Sequence, residues 1–356
     1  MSHPNSVDAL RRLCVLLSPF STTEAARAAA ATMPSWPAAL AQADMHRLIP
    51  AFHVALARHG LADAVDAELA EVLAAVADWN TERNTGFRRQ MRVVSAAFNA
   101  AGLEPVWLKG ALTLLPPDGP AAGRQMMDLD VWLPEESRQR AAMTVLNGLG
   151  YGFQDGLGGC ARHYPPFFHP EEMARIELHR TIVDPDETLL PVDEAAAGLV
   201  MEDWEGLRIA QLDPLSRALC SLAQCTDRRP DRLGTAEVPL MKALDFVGRI
   251  HADFGGVVPP ALVERAVRAG WERSTQRFLT LTDSYFGLPN PFPSDPELVR
   301  LLERFTRRPR WHHTLKAARS LFGTGGWAAL RAPGKAANMA AYFVGRLLAP
   351  DRPAKL

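Results

Sequence analysis

The chain has 356 residues, of which 47% are hydrophobic and 22% are charged, and its formal net charge at pH 7 is −1. This composition is that of an ordinary globular protein, and a chain longer than roughly 250–300 residues usually divides into more than one folded region. The balanced charge provides no field for bulk nucleic acid or an anionic membrane, so any basic site must be local. The sequence therefore argues against nucleic acid as a partner without excluding it.

The cysteines and the N-terminus indicate the compartment. Cys14, Cys160, Cys220 and Cys225 form no CxxC pair, and the last two lie in a helical pattern typical of buried core thiols. This usage suits a reducing compartment. The first residues lack the basic start, apolar run and cleavage site of a signal peptide, and no stretch of about 20 uncharged apolar residues is present. We therefore expect a cytoplasmic protein with no membrane partner.

Helical patterns fill the first part of the chain, which we predict to be an N-terminal helical region over residues 1–102. Residues 6–17 place apolar side chains on one face, with Ser6 as the expected N-cap. A long helical pattern follows and stops at Gly102. We expect this pattern to break near residues 84–86, because Asn-Thr-Gly is a poor helix-forming run.

Strand-like segments appear next, over residues 103–212. They are "VWL" after Pro105, "LDVWL" around Asp128 and Asp130, "ARIELHR" around Glu177, and "GLRIAQL". Helical patterns separate them, such as "PEESRQRAAMTVLNGLG". Short strands that alternate with helices predict a small mixed sheet.

The remainder, residues 213–356, reads as a C-terminal helical region. Asp213 is the expected cap of its first helix, and Pro214 is the first helical residue. The basic run "RRPRWHH", residues 307–313, could bind a polyanion through charge and stacking, but a solvated helix end is the favoured interpretation, since nothing else in the C-terminal third is strongly basic. The predicted fold class is α+β, with a small mixed sheet flanked by helical regions on both sides in the sequence.

Two aspartates on one predicted strand suggest a metal site. Residues two apart in a strand share a face, so Asp128 and Asp130 point the same way. Neighbouring carboxylates raise each other's pKa unless a positive charge lies between them, and Mg²⁺ binds carboxylates together with substrate phosphates and waters. Glu177 is the candidate third carboxylate, either as a metal ligand or as the base that takes a proton from the acceptor. We predict that these three catalytic residues bind Mg²⁺ or Mn²⁺.

The segment before the aspartates has the features of a phosphate site. Lys109 and Gly110 follow a strand and precede a predicted helix, whose first N–H groups attract anions. Lys109 adds a positive charge, and Gly110 permits close backbone approach. Arg124 could bind phosphate or pair with a carboxylate, since its planar fork suits both. His179, on the face of Glu177, either orients substrate or is a structural histidine.

The order of these motifs resembles the uncharacterised nucleotidyltransferase family of the DNA polymerase β-like superfamily. The resemblance covers about residues 20–255 and is strongest over 105–180. It implies that an NMP group moves from an NTP, the co-substrate, to an acceptor hydroxyl or phosphate with a divalent metal. The matching positions are Lys109, Gly110, Arg124, Asp128, Asp130, Gly150, Tyr151, Glu177 and His179.

The sequence departs from the superfamily pattern at two of these places. Ala111 stands where many members have Ser, which removes a hydroxyl contact to phosphate, and Glu177 stands where Asp is common. The acceptor stays open among a small molecule, a peptide, a protein and tRNA. Two alternatives also stay open: transfer of another phosphate-linked group, such as a sugar phosphate, on the same site, or a catalytically degenerate scaffold that binds nucleotide or a partner.

Overall fold

A computed structural model describes residues 5–116, 123–153, 162–183, 188–226 and 240–307. Cys160 and the basic run, apart from Arg307, lie outside the described residues. The helices are α1 Ser6–Leu17, α2 Thr23–Ala31, α3 Trp36–Met45, α4 Ile49–Arg58, α5 Ala67–Ala100, α6 Glu136–Gly148, α7 Val192–Ala197, α8 Pro214–Cys225, α9 Leu240–Phe254, α10 Pro260–Arg268, α11 Glu272–Phe286 and α12 Glu297–Arg307, with short 3₁₀ helices at Ala62–Ala64 and Lys109–Leu114.

The strands form one mixed sheet. They are β1 Val106–Leu108, β2 Asp128–Trp132, β3 Gly152–Phe153, β4 Phe167–Phe168, β5 Arg175–His179, β6 Leu199–Trp204 and β7 Leu207–Leu212. Their order across the sheet is β3-β4-β5-β2-β1-β7-β6. β1 is antiparallel to β2 and parallel to β7, whereas β2 and β5 are parallel. The predicted α+β class is confirmed.

The four strands predicted from the sequence are the four in the centre of this sheet. β5, β2, β1 and β7 are adjacent to one another, and β3, β4 and β6 extend the sheet at its two sides. The additional strands escape sequence patterning for physical reasons. β3 and β4 have only two residues each, which is too short for a recognisable pattern. Most of β6 is exposed, so its sequence lacks the apolar pattern of a buried strand.

Two hydrophobic clusters lie on opposite faces of the sheet. One packs α5 and α6 against the sheet and includes Phe87, Leu129 and Leu146. The other contains side chains from the N-terminal helices α1–α4 and from the C-terminal helices α8–α12, among them Leu10 and Phe246. The two helical regions therefore share a core on the second face of the sheet. Among the described residues, no helix combines the length and apolar character that a bilayer crossing requires.

Helix α5 is continuous over 34 residues, so the predicted break near residues 84–86 is wrong. Of the residues that suggested a break, Asn84 points inward, as does Asn80 one turn earlier. Asn80 and Asn84 are buried and donate to the backbone carbonyl of Arg124 at 3.2 and 2.9 Å. A Cβ on Gly86 would lie 3.1 Å from Sδ of Met173. The glycine therefore allows the Met173 side chain to pack closely against α5.

The predicted helix caps have mixed outcomes. Asp213 caps α8, because its carboxylate accepts from the backbone N–H groups of Leu215 and Ser216, as the sequence predicted. The cap predicted at Ser6 is wrong. Ser6 is the first residue of α1 and Asn5 holds the cap position without a side-chain hydrogen bond to the helix.

Candidate active site

The parallel pairing of β2 with β5 brings the predicted acidic residues together. Asp130 is the register partner of Glu177, and Asp128 lies two residues earlier on β2. Side chains at paired positions of adjacent strands point to the same face of the sheet. Leu129 and Val131 point to the opposite face, into the cluster under α5. The three carboxylates therefore share the sheet face that is turned toward the C-terminal helices.

Asp130 is surrounded by positive and hydrogen-bonding groups. Its side chain is 4% exposed, Lys109 Nζ donates to its Oδ1, and Nε2 of His179 lies 2.7 Å from the same oxygen. Burial alone would raise the pKa of Asp130. The Lys109 ammonium and the hydrogen bond from His179 outweigh burial, so the pKa lies well below its ordinary value. Asp130 is therefore ionised throughout the physiological range.

His179 has one proton to share between two acceptors. Its Nε2 faces Asp130, and its Nδ1 lies 3.1 Å from the carbonyl of Thr181. Burial, assisted by the Lys109 charge, lowers the pKa of His179, although the contact with Asp130 opposes this shift. The ring is therefore neutral near pH 7. The neutral ring carries its one proton either on Nε2, facing Asp130, or on Nδ1, facing the carbonyl of Thr181.

Lys109 reaches Asp130 from an unusual backbone conformation. Its φ is 53°, in the left-handed region, which non-glycine residues rarely adopt outside functional or tightly constrained sites. Burial would lower the pKa of Lys109, but Asp130 raises it above the ordinary value, so the ammonium stays charged. The predicted helix after Lys109 is a six-residue 3₁₀ helix. Attraction of an anion to this end would therefore come mainly from the lysine charge rather than from a helix dipole.

Asp128 lies in a contrasting environment. Within the described residues its carboxylate forms no ion pair. Burial and the charges of Asp130 and Glu177 together raise its pKa to about 6. Lys109 and Arg124 oppose this shift but do not cancel it. The mutual repulsion predicted from the Asp-Leu-Asp spacing is therefore present, and it falls on the first aspartate. A cation at this position would relieve it.

The donor atoms around Glu177 suit a divalent cation. One ligand atom each from Asp130, Glu177 and His179 lies within 4.8 Å of the others. Carboxylate oxygens are the ligands that Mg²⁺ prefers, and a histidine nitrogen is more typical of transition metals such as Mn²⁺. This group contains two of the three predicted ligands together with His179. Asp128 is not part of it, and its role as a ligand stays a prediction.

Arg124 lies beside the predicted phosphate turn but is bound to helix α9. Its Nε donates to Oδ2 of Asp245 at 2.9 Å, so its carboxylate partner is neither Asp128 nor Asp130. A Cβ on Gly110 would lie 3.4 Å from Nη2 of Arg124, which places the guanidinium next to the Lys109–Gly110 step. The structure thus brings Lys109, Gly110 and Arg124 together at one place.

Three polar residues that position Arg124 were not predicted from the sequence. Asp245 lies within the apolar pattern "LMKALDFVGRI", and Asn80 and Asn84 are spaced four apart on α5. A lone acid on an apolar helix, or two amides on one helix face, is a signal that could have identified them. Tyr151, by contrast, belongs to the hydrophobic cluster under α5. It is buried, and its hydroxyl accepts from Gln90 at 2.9 Å.

The comparisons with known proteins give one match. No curated protein and no solved structure matches the chain. Residues 32–287 match the model of a family described as uncharacterised nucleotidyltransferase, and this match covers well over half of the 356 residues. The match contains every candidate site residue, which supports nucleotidyl transfer as the general chemistry. The chain belongs to this uncharacterised nucleotidyltransferase family.

Proposed function

We propose that this protein transfers an NMP group from an NTP to a hydroxyl or phosphate of an acceptor, with Mg²⁺ or Mn²⁺. One observation carries the proposal. Asp128, Asp130 and Glu177 share one sheet face, and the first of them has a pKa raised to about 6 by burial and by the other two. Such a group of carboxylates is suited to binding a cation and metal-bound phosphates.

In this proposal the three carboxylates would hold the cation, which when bound would supply positive charge at the reacting phosphate. Lys109 and His179 keep Asp130 ionised and fix its orientation. The acceptor oxygen attacks the α-phosphorus, and the bond from that phosphorus to the bridging oxygen breaks. Pyrophosphate leaves with the bonding electrons. Glu177 acts as a ligand or accepts the proton that the acceptor hydroxyl loses.

The triphosphate would lie against Lys109, Gly110 and Arg124. Lys109 supplies a charge, Gly110 leaves room for close approach, and Arg124 offers a planar donor group. Nε of Arg124 donates to Asp245 and its Nη1 donates to the carbonyl of Gln125, whereas its Nη2 lies on the side of Gly110. A phosphate oxygen is a suitable further acceptor for such a group.

Turnover tests the proposal directly. The protein would be incubated with each α-³²P-labelled NTP, Mg²⁺ and mixed candidate acceptors, and both labelled acceptor and pyrophosphate would be measured. We expect equal amounts of the two products, and none with Asp130→Asn. Glu136→Gln, an exposed change on α6 on the other face of the sheet, is the control and should retain activity. Full activity of Asp130→Asn would overturn the proposal.

A degenerate nucleotide-binding scaffold is the second candidate, and one observation favours it. Lys109 already neutralises Asp130, which weakens the attraction of that carboxylate for a metal. Calorimetry with Mg-NTP separates the candidates. Binding without turnover supports the scaffold, whereas turnover without release of pyrophosphate supports transfer of another phosphate-linked group, such as a sugar phosphate.

A further inference from the structure

A cleft of about 710 Å³ opens beside the candidate active site. Its walls come from the 3₁₀ helix Lys109–Leu114, from β6 and β7, and from α8 and α9, and we call it the α9 cleft. This volume is in the range of pockets that hold a small molecule, roughly 300–1,000 Å³. It is too small for a folded protein or a nucleic-acid helix.

The α9 cleft shares a wall with the predicted phosphate turn. Thr113, which lines the cleft, belongs to the 3₁₀ helix that begins at Lys109. Asp245, which also lines it, holds Arg124 at 2.9 Å, and Arg124 in turn lies against Gly110. A molecule in the cleft would therefore lie next to the place where the proposed triphosphate binds.

One arginine that lines the cleft differs from the other two in its contacts. Arg88 pairs with Glu205, and Arg217 pairs with Asp253. Arg249 donates from Nε to Oγ of Ser221 at 3.2 Å, and within the described residues it forms no ion pair with a carboxylate.

Asp245 and Asp253 lie near enough to attract Arg249 but do not contact it directly, and a partly buried guanidinium with no direct carboxylate partner is costly because it stays charged under all physiological conditions. Burial lowers the pKa of Arg249, which reflects this loss of solvent. The natural complement of a guanidinium is a carboxylate or phosphate, which it can bind through two parallel hydrogen bonds. The apolar lining, which includes Leu112, Leu244 and Trp204, would contact the rest of such a ligand.

We propose that the α9 cleft binds the acceptor, and that the acceptor is a small organic anion whose carboxylate or phosphate group pairs with Arg249. The assignment as acceptor rests on the proposed nucleotidyl transfer. In this arrangement the anionic group binds at α9, and the reacting oxygen of the acceptor is directed toward the Lys109–Gly110 step.

Site-specific arginine modification tests whether the cleft binds an anion. The full chain, without metal or nucleotide, would be treated with phenylglyoxal, and the modification of each arginine would be followed by mass spectrometry. Inorganic phosphate in one arm and acetate in the other would be added at constant ionic strength. We expect at least one anion to slow modification of Arg249 about fivefold or more, and the arm that protects identifies the anionic group. Exposed Arg268 on α10 is the internal control. Equal protection of both arginines, or protection of neither, would overturn the proposal.

Variants then separate this inference from the proposed function. In Arg249→Met the apparent affinity for the protecting anion, measured by thermal shift, should fall about tenfold or more, and Arg268→Met should leave it unchanged. Affinity for Mg-ATP should be retained in both variants. If Arg249→Met weakens Mg-ATP binding to the same extent, the cleft is the nucleotide site and the acceptor assignment is wrong. If pyrophosphate release is never observed but anion binding still depends on Arg249, nucleotidyl transfer fails and the binding site stands.

Discussion

Asp128 and Asp130 are two residues apart on one strand, yet the structure treats their charges in opposite ways. Asp130 is buried against Lys109 and His179, and its pKa lies well below the ordinary value. Asp128 has no such partner within the described residues, and its pKa is raised to about 6. One carboxylate is compensated by the protein itself, and the other is not compensated within the described residues.

The two aspartates therefore contribute differently to the free energy of folding. The corner formed by Lys109, Asp130 and His179 is internally compensated, and removal of one partner would leave a buried charge unpaired. Burial and the charges of Asp130 and Glu177 raise the pKa of Asp128, so ionised Asp128 destabilises the folded state, and in the proposed function a bound cation would relieve this cost. A site with one compensated and one uncompensated carboxylate is organised before its ligand arrives, yet retains attraction for it.

Asp130→Asn should have the largest effect, because it breaks the compensated corner. The substitution leaves Lys109 with a buried charge and no counter-ion, and loss of one partner of a buried pair typically costs about 3–5 kcal/mol. We expect the free energy of unfolding, measured by urea denaturation, to fall by about that amount, with activity lost.

A double-mutant cycle with Lys109→Met is the control for this effect. Adding Lys109→Met to Asp130→Asn removes the stranded charge, so the double variant should be more stable than Asp130→Asn alone. Additive losses from the two substitutions would show that the ion pair is not what stabilises this corner.

Asp128→Asn should act in the opposite direction on stability. Because the pKa of Asp128 is raised from its ordinary value of 3.8 to about 6, the ionised form destabilises the folded state above pH 6, and this cost disappears below pH 4. One pH unit corresponds to about 1.4 kcal/mol. In the presence of EDTA at pH 8, we expect the variant to gain about 1–3 kcal/mol of unfolding free energy while losing activity.

The pH dependence supplies the check on this second prediction. At pH 4 the wild-type carboxyl is protonated in the folded protein, so the two proteins should unfold at nearly the same urea concentration. A stability gain that is equal at pH 4 and pH 8 would contradict the electrostatic explanation. Excess Mg²⁺ at pH 8 should narrow the gap, because it binds the wild-type folded state preferentially.

Asn84→Ala should have an intermediate effect through the backbone next to the site. It removes a 2.9 Å hydrogen bond to the Arg124 carbonyl in a buried position, at a cost of about 1–2 kcal/mol. Apparent affinity for NTP should weaken severalfold, because Arg124 loses part of its support. Thr85→Ala is the matched control on the exposed face of the same helix, and its change in unfolding free energy should stay below about 0.5 kcal/mol.

The sequence predicted the centre of this molecule better than its periphery. The alternating pattern around Asp130 and the apolar run before Lys109 identified strands that lie side by side in the sheet. Local pattern suffices there because a buried strand must alternate or be apolar throughout. The outer strands lack this constraint. Helix α5 stays continuous through its weak helix-forming residues because Asn80 and Asn84 make tertiary hydrogen bonds there.

For the candidate site, residue types and spacing indicated which side chains would converge but not how their charges would be compensated. The closeness of Asp130 to Glu177 follows from the parallel pairing of β2 with β5, whereas the sequence predicted only that both strands belong to one small sheet. The ion pair of Lys109 with Asp130 depends on a backbone turn at φ 53°, and the pair of Arg124 with Asp245 joins segments 121 residues apart. Contacts of this kind arise from tertiary packing, which short-range pattern does not encode.

Gly110→Ala should have the smallest effect on stability. It therefore tests, without a confounding loss of fold, whether the backbone at Gly110 contacts the triphosphate of the NTP. A Cβ at this position would meet Nη2 of Arg124 at 3.4 Å and Cγ of Met126 at 3.5 Å, which are ordinary contacts, and Gly110 has no positive φ. The unfolding free energy should therefore change by less than about 0.5 kcal/mol. If phosphate approaches this backbone closely, the added methyl should raise the KM for NTP about tenfold. Gly148→Ala on α6, where a Cβ meets open space, should leave the KM unchanged. An unchanged KM in Gly110→Ala would place the triphosphate away from the turn and leave Lys109 as a partner of Asp130 alone.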